Sequence, residues 1–595
     1  MGATADSVSD VVSAAMGDSP ADTILEDCSL FSVYTGEVIP STQVAIRGDR
    51  IAYVGPDASH ARGQGTRIID VGGRPVSPGF ADPHVHIDQF VMPSEFAKEA
   101  LLRGVTSLFS DPIDVTSVAG YRGFGAFLDA GRNLPIRIFQ TVPGGLPVDP
   151  RFSRRGAGGI TPARQAAAVA RNADVVGMGE VFSWTKVTGR DPLTMRSISG
   201  MINQNSIING HTAGASGRKL AAYVAAGIIS CHEPIDFGQA AERLRLGMWV
   251  MIREGSIRRD LDAIMPRILS DGIRLDRLMF CSDGLDPAAI RTHGYIDYCI
   301  RQAVRLGVGP VDAVSMATRN VAAYYNMERD MGVVAPGRLA DILVLADDRT
   351  FRPDMVMVGG KLVVSDGRLA VRMPPSRMPQ WIRRTVWTPR LSARDFEVRP
   401  KRGRAASHAN TIVLKTEIIT GMGSAEVVVD GDGRVTPHPD RPDVWKVAAF
   451  DRTRRGGRRA IGFLEGFGGE VGAFASTWSF HENDMIVMGS DDAAMAGAAN
   501  HLIRHQGGVV VVSHNGSIAA SMPLQYAGIV STAPFDRVLE QFGQINDALA
   551  DAGCRLERPL LVPLFLPFLA LPSIRMTSGG MVDIKRGAYV EPLRA

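Results

Sequence analysis

Cysteine is scarce and unpatterned here: five in 595 residues, Cys28, Cys231, Cys281, Cys299 and Cys554, with no Cys-x-x-Cys pair. An odd, dispersed set excludes a disulfide framework or a thiolate metal knuckle and fits a reducing cytoplasm. Charge of one sign is also lacking, since 65 Lys and Arg face 62 Asp and Glu for a net +3. Without a basic field there is no electrostatic case for a nucleic-acid partner. One local basic run, Arg399 to Arg404, reads as a solvated linker. Long apolar runs are missing too. The longest, Leu560 to Pro572, is broken by Pro563 and Pro567, and it falls short of the ~20 residues a membrane-spanning helix needs. The first twenty residues lack the basic-then-apolar order of a secretion signal, so a soluble chain is expected. No solenoid repeat or low-complexity tract is present.

What is there is ordinary globular material, 45% hydrophobic and 21% charged, too long for one core. At roughly 150 residues per domain, two to four domains are expected. Residues 1–20 are small and polar and are read as a mobile or loosely helical segment. From 21 to 76, apolar runs alternate with Gly-centred turns, and similar β segments return at 331–375 (ADILVLADD, MVMVGGKLVV). Two such flanks imply one small β domain assembled from both sides of what lies between them. That middle, 77–330, carries eight apolar runs: PVSPGFAD, VTSLFSD, IRIFQTV, VVGMGE, SIINGH, GIISCH, WVMIRE and LMFCSD. Ala-rich helical stretches such as TPARQAAAVARN and GRKLAAYVAAG separate them. Eight β-then-α units in about 250 residues is the size of a TIM barrel. A Pro- and Arg-rich passage, 376–399, is read as a crossover linker, and 400–595 as a C-terminal α+β domain. The expected class is α/β: a (β/α)8 TIM barrel, a small flanking β domain and an α+β appendage.

Six residues then stand out because each closes one of these runs. His84 and His86 follow PGFADP, Glu180 ends VVGMGE, His211 ends SIINGH, His232 ends GIISCH and Asp283 ends LMFCSD. Side chains at i and i+2 of a strand share a face, so His84 and His86 can reach one ion. A carboxylate at the end of an apolar strand is costly to bury alone, and coordination of Glu180 by two cations would resolve that cost. Asp283, followed by Gly284 where the chain must turn, can ligate a metal and accept a proton from an attacking water. Taken singly, each has a bland alternative: a hydrogen-bonded core histidine or a helix N-cap. Arriving in order at the ends of barrel strands, four imidazoles and two carboxylates imply a binuclear hydrolytic site.

The wording of PGFADPHVHID, GMGEV, NGHTAGASGRKLAAYVAAGI, CHE, GMWVMIREGSIRRDLDAI and APGRLADILVL resembles the adenine deaminase family of the metal-dependent amidohydrolase superfamily. The likeness continues into the C-terminal half, at EGFGGEVGAFAST, MPLQYAGIVS and PFLALPSIRMTSGGMVD. The resemblance implies that His84 and His86 hold one metal, His211 and His232 a second, that Glu180 bridges them, and that Asp283 completes the first and moves protons. It implies two divalent ions, manganese or iron foremost and zinc possible, and a hydroxide held between them that attacks C6 of adenine. Glu233, beside His232, is the candidate acid that stabilises charge on the ring, with Arg253, Glu254 and Ser256 near the substrate. A homodimer or larger assembly follows from the same likeness.

Three motifs depart from the family. Asp-Pro-His-Glu is here Asp111-Pro112-Ile113-Asp114, Thr-Asp-Asp-Arg is here Ser282-Asp283-Gly284-Leu285, and His-Asp-Ser-His-Asn is here Phe480-His481-Glu482-Asn483-Asp484. Asp111, His481 and Glu482 are therefore added to the candidate substrate-facing residues. The alternatives these changes open are a related amidohydrolase acting on another heterocycle or a cyclic amide, and a non-catalytic metal-binding family member. A full ligand set argues against the last.

Overall fold

The computed structural model describes residues 5–153, 159–400 and 407–594. Of the basic run expected as a solvated linker, positions 401–404 lie outside the described residues.

The eight apolar runs become eight parallel strands: β1 (Phe80–Val85), β2 (Val105–Ser110), β3 (Arg137–Val142), β4 (Val175–Val181), β5 (Ile207–Gly210), β6 (Ser230–Cys231), β7 (Trp249–Arg253) and β8 (Leu278–Cys281). Ladders join β1 through β5 and, separately, β6 through β8. The Gly210 N–H donates to Ser230 Oγ at 3.2 Å across the gap between β5 and β6. Closure comes at the functional end, where Asp283 N–H donates to the His84 carbonyl and His86 N–H to the Asp283 carbonyl, each at 3.0 Å. Every residue of β1, β2, β5 and β8 is buried, as expected for strands covered on both faces and readable as continuous apolar runs. Helices start where the sequence supplies a cap. Thr161 Oγ1 accepts from Arg164 N–H with Pro162 in the first turn, and Asp191, Asp236 and Asp286 do the same for Pro192–Ile202, Phe237–Arg245 and Pro287–Thr292.

Both flanks contribute to one nine-stranded sheet, in which Pro75–Pro78 pairs with Thr23–Ser32 on one side and with Ile342–Leu345 on the other. Its core mixes Leu25, Cys28 and Val44 with Ala340, Ile342 and Val344. The segment read as mobile or loosely helical contains a helix, Ala5–Met16, whose Ala14 is fully buried. The sequence understated it because the helix has only a narrow apolar face to show.

The C-terminal region forms a second nine-stranded sheet with helices Asp492–His505 and Phe535–Asp551, and a three-stranded ribbon over Ile574–Thr577, Gly580–Asp583 and Ala588–Val590. The passage read as a linker is packed into this unit. Leu391 and Phe396 share a core with Ala448, Ala473 and Met495, and Asn500 both donates to and accepts from the Leu391 backbone at 2.8 and 2.9 Å. Proline had masked six buried apolar anchors, Met378, Ile382, Val386, Leu391, Phe396 and Val398. No helix among the described residues is long and apolar enough to cross a membrane, and all five cysteines are free.

The C-terminal unit lies over the barrel mouth and is tied to it. Phe90, in the loop after β1, pairs with Val530 as an isolated parallel bridge, its N–H donating to the Ile529 carbonyl at 3.1 Å and its carbonyl accepting from Ser531 N–H at 2.8 Å. Phe90 holds this pairing at φ 62°, a left-handed conformation that a bulky residue keeps only when its surroundings enforce it.

Candidate metal centre

The closure of the barrel puts β1 beside β8, and β4, β5 and β6 opposite, so their ends face one another across the mouth. Glu180 divides its carboxylate between two pairs of imidazoles. Its Oε1 lies 3.3 Å from His84 Nε2 and 3.2 Å from His86 Nε2, while Oε2 lies 2.7 Å from His211 Nδ1 and 3.4 Å from His232 Nε2. Asp283 Oδ1 sits with the first pair, 3.7 and 3.4 Å from the two Nε2 atoms. Glu233 Oε1 sits with the second, 3.7 Å from His211 and 3.3 Å from His232. Two lobes thus share one carboxylate. All six ligands expected at strand ends converge, and Glu233, expected only as an acid, joins them.

Three observations show that this set fits divalent metal. His84 Nε2 is completely buried and has no aligned hydrogen-bond partner. Potential ligand atoms of His84, Glu180 and His232, of His84, His86 and Asp283, and of His211, His232 and Glu233 lie within 4.8 Å of one another in each group. Finally, the rings of His84 and His232 stack at 4.3 Å and 17°, which sets their nitrogens side by side at the shared carboxylate, as ligands of neighbouring ions would be.

Electrostatics follow from this crowding. Burial alone would raise the Glu180 carboxyl, yet His232, His84 and His211 outweigh it and hold it well below the usual range. Asp283 behaves alike: burial opposes ionisation, and the His84 and His86 imidazoles beside it override that and hold the carboxyl well below the usual range. Burial likewise opposes charge on Glu233, which Arg253 then drives far downward. Arg253 is itself buried, paired with Glu233 through Nη1, with Asp260 through Nε at 3.1 Å, and 3.6 Å from Asp283 Oδ2. It is the fixed cation that links the two lobes on the β7 side.

Outside the six candidate ligands, Asp111 positions two of them. Its carbonyl meets His86 Nδ1 at 2.8 Å, fixing that ring so that Nε2 points inward, and its Oδ2 accepts from the Glu180 N–H at 3.0 Å. Asp82, on β1, accepts from the Ser282 hydroxyl, from Tyr295 Oη at 2.8 Å and from the His84 N–H at 3.1 Å, which sews β1 to β8. Asp82, and Asp88, whose Oδ2 accepts from Val115 N–H at 2.9 Å, were missed by sequence reasoning, although both stand beside His84 and His86 inside the ADPHVHID motif.

The remaining candidates separate. Glu254 turns away, its Oε2 accepting from Leu261 N–H at the start of helix Leu261–Ser270, and burial lifts its carboxyl to about 7. Ser256 faces a cavity beside the centre, with its Oγ accepting from Asp286 N–H at 2.8 Å. His481 enters from the C-terminal unit at φ 60°, stacked on Phe182 at 4.7 Å and tilted against Phe568 at 4.5 Å, with Nδ1 buried and without a partner. Burial depresses that imidazole to about 3, so it is neutral. Glu482 Oε1 accepts from Ser153 Oγ at 2.7 Å and fastens the two units rather than facing the ligands.

Two of the three departures from the family pattern meet in space. Asp114 Oδ1 accepts from the His481 N–H at 3.4 Å and from Asn483 Nδ2 at 3.3 Å, while Gln89 Nε2 donates to Oδ2 at 2.8 Å. The changed residues are partners of one another, so one cluster has been rebuilt rather than two lost.

Comparison with known proteins agrees with this architecture in both halves. Residues 76–363 match the amidohydrolase family, and residues 417–588 match the adenine deaminase C-terminal domain. An adenine deaminase of Cenarchaeum symbiosum is 56% identical over 98% of this chain and 95% of its own length. One from Moorella thermoacetica is 35% identical over 96% of each, and one from Rubrobacter xylanophilus is 33% identical over 97% of this chain and 95% of its own.

Proposed function

Since this chain belongs to the adenine deaminase family of the amidohydrolases, we propose that it hydrolyses adenine to hypoxanthine and ammonia at the centre beneath the C-terminal unit. The observation that carries this reading is the divided carboxylate of Glu180, with a pair of imidazoles on each oxygen. His84, His86 and Asp283 would hold one divalent ion, His211 and His232 a second, and Glu180 would touch both. Manganese or iron is the expected metal, and zinc suits the same ligands. When bound, the metals supply a water nucleophile deprotonated near neutral pH.

The chain's own residues then have separable tasks. Asp283 takes the proton of the nucleophile and returns it toward the amino group as the C6–N bond breaks, a role supported by its position, one oxygen facing the imidazoles and the other Arg253. Arg253 orients Glu233 and Asp283 together. Glu233, pinned as an anion by that guanidinium, suits accepting a ring N–H more than donating a proton, which revises the acid role expected from sequence. His481, neutral and buried, offers a ring face and an uncommitted nitrogen to the heterocycle. A cytoplasmic, homodimeric or larger enzyme is the accompanying reading, supported by five free thiols and by the family likeness.

The test is ammonia release from adenine, compared with other purines, pterins and cyclic amides, using protein produced with manganese. Turnover of adenine above the rest, with two ions per chain, is expected. Fewer than one bound ion per chain would overturn the binuclear site, and equal turnover across the panel would overturn adenine as substrate.

A further inference from the structure

The segment Phe480-His481-Glu482-Asn483-Asp484 contains no glycine, yet His481 at φ 60° and Asn483 at φ 48° hold the left-handed backbone that favours glycine. Such a backbone persists only where its surroundings over-determine it. The same holds for Ala527 at φ 53°, in the turn that carries Val530 to Phe90.

One side chain serves both places. Arg452 follows strand Val444–Phe450 and is completely buried. Its Nε donates to the Asn483 carbonyl at 2.8 Å, and its Nη2 donates to the Thr477 carbonyl at 3.3 Å and to the Ala527 carbonyl at 2.8 Å. The guanidinium therefore closes the base of the loop 477–483 at both ends and ties it to the neighbouring turn. Arg452 is itself held by the passage 376–399: Nη1 donates to Thr385 Oγ1 at 3.3 Å, and the Arg452 carbonyl accepts from Trp387 N–H at 2.6 Å. Gly528 leaves room for the fork, since a Cβ there would stand 2.7 Å from Nη1.

From the barrel side, Asp114 Oδ1 accepts from the His481 N–H at 3.4 Å and from Asn483 Nδ2 at 3.3 Å. His481 is thus gripped between a carboxylate of the barrel and, through Asn483, a cation of the C-terminal unit. A buried charge is costly unless its hydrogen bonds are met. Three carbonyls in fixed directions suit a planar guanidinium, which the point charge of a lysine does not reproduce.

We propose that Arg452 is a positioning residue for the deamination: through the Asn483 carbonyl it holds the His481 imidazole in its stack on Phe182 and Phe568, and through Ala527 it couples that placement to the turn gripping the loop after β1. The inference rests on the reading of His481 as a contact of the heterocycle, and it adds the residue that sets that contact.

The test pairs a double-mutant cycle with hydrogen exchange. Arg452→Lys keeps the charge and loses the fork, so KM for adenine should rise about ten-fold, with kcat within about two-fold and bound metal unchanged. In a His481→Phe background the same substitution should alter KM by less than about two-fold, because its effect travels through that imidazole. Gly528→Ala crowds Nη1 without removing it; it should raise KM in the same direction, lose that effect in the His481→Phe background, and guard against a folding defect in the lysine variant. By mass spectrometry, amide exchange over 477–484 should quicken about ten-fold in Arg452→Lys while β1 keeps its wild-type rate. An equal rise in KM with and without His481, or loss of metal, would make Arg452 a general structural support and overturn the inference. Unchanged KM in an active enzyme, or unchanged exchange in any case, would overturn it too. Faster exchange over 477–484 in a protein that deaminates no base would instead uphold Arg452 as the clamp on His481 and overturn the function.

Discussion

The strand ends that form the floor of the barrel mouth and the C-terminal segment that roofs it handle burial in opposite ways. The floor crowds Glu180, Asp283 and Glu233 among four imidazoles and Arg253, and nearly every polar atom there has a counterpart within 4 Å. The roof is aromatic, built from Phe480, His481, Trp478 and Phe568, and its polar atoms, His481 Nδ1 and Trp478 Nε1, are unpaired. Charge that must hold ions needs rigid strands behind it. Donors that must read an organic ring need an apolar setting in which an unmet hydrogen bond is expensive.

Glu180→Gln strikes the floor hardest. Its loss should lower adenine turnover by roughly four orders of magnitude or more, the scale expected when a residue of the acting unit is removed, and bound metal should drop from two ions to one or fewer by elemental analysis. Retention of both ions would mean that the two lobes do not depend on a shared carboxylate.

Asp111→Asn probes the layer behind the floor. Because Asp111 orients His86 and accepts from Glu180 N–H, a loss of about 10- to 100-fold in activity or metal affinity is expected. An effect confined to KM would place Asp111 with the roof instead.

His481→Phe keeps the stack on Phe182 and Phe568 but deletes the free nitrogen. Turnover at low adenine should fall about ten-fold while metal content stays at the wild-type value. If metal is lost with it, the division between floor and roof is wrong.

The smallest effect belongs to the roof's far side. His501, whose Nε2 meets Ser521 Oγ at 2.7 Å, is lowered to about 4 by burial, with His505 and Arg504 adding to the shift. A histidine that protonates more easily unfolded than folded costs stability as pH falls, so the wild type should lose thermal stability between its ordinary value of 6.5 and about 4. His501→Gln should flatten that slope without altering kinetics. Equal slopes would show that His501 does not carry the acid sensitivity.

The floor was largely legible because buried parallel strands read as unbroken apolar runs, and a histidine or carboxylate at the end of such a run is conspicuous. Even β6, only Ser230–Cys231, announced itself through GIISCH. The roof was not legible. Asp114 meets Asn483 and Phe90 meets Val530 across 369 and 440 residues of chain, and no periodicity records such pairings. The family departures pointed at Phe480 to Asp484, but that this segment answers the change at Asp114 is a tertiary fact. Trp478, two residues upstream, carried no mark beyond being one of six tryptophans. Glu254 misled in the other direction, since its neighbour Arg253 faces the centre while Glu254, next along the chain, points to the opposite side.

The bridge between Phe90 and Val530 also bears on inheritance. A residue held at φ 62° by a partner in another unit cannot drift freely, and neither can the turn that holds it. The first barrel loop and residues 526–531 therefore form one unit of variation despite their separation in the gene. A chimera that takes its C-terminal half from a relative would need to import the matching loop after His86 as well, or the lid would arrive without its hinge pin.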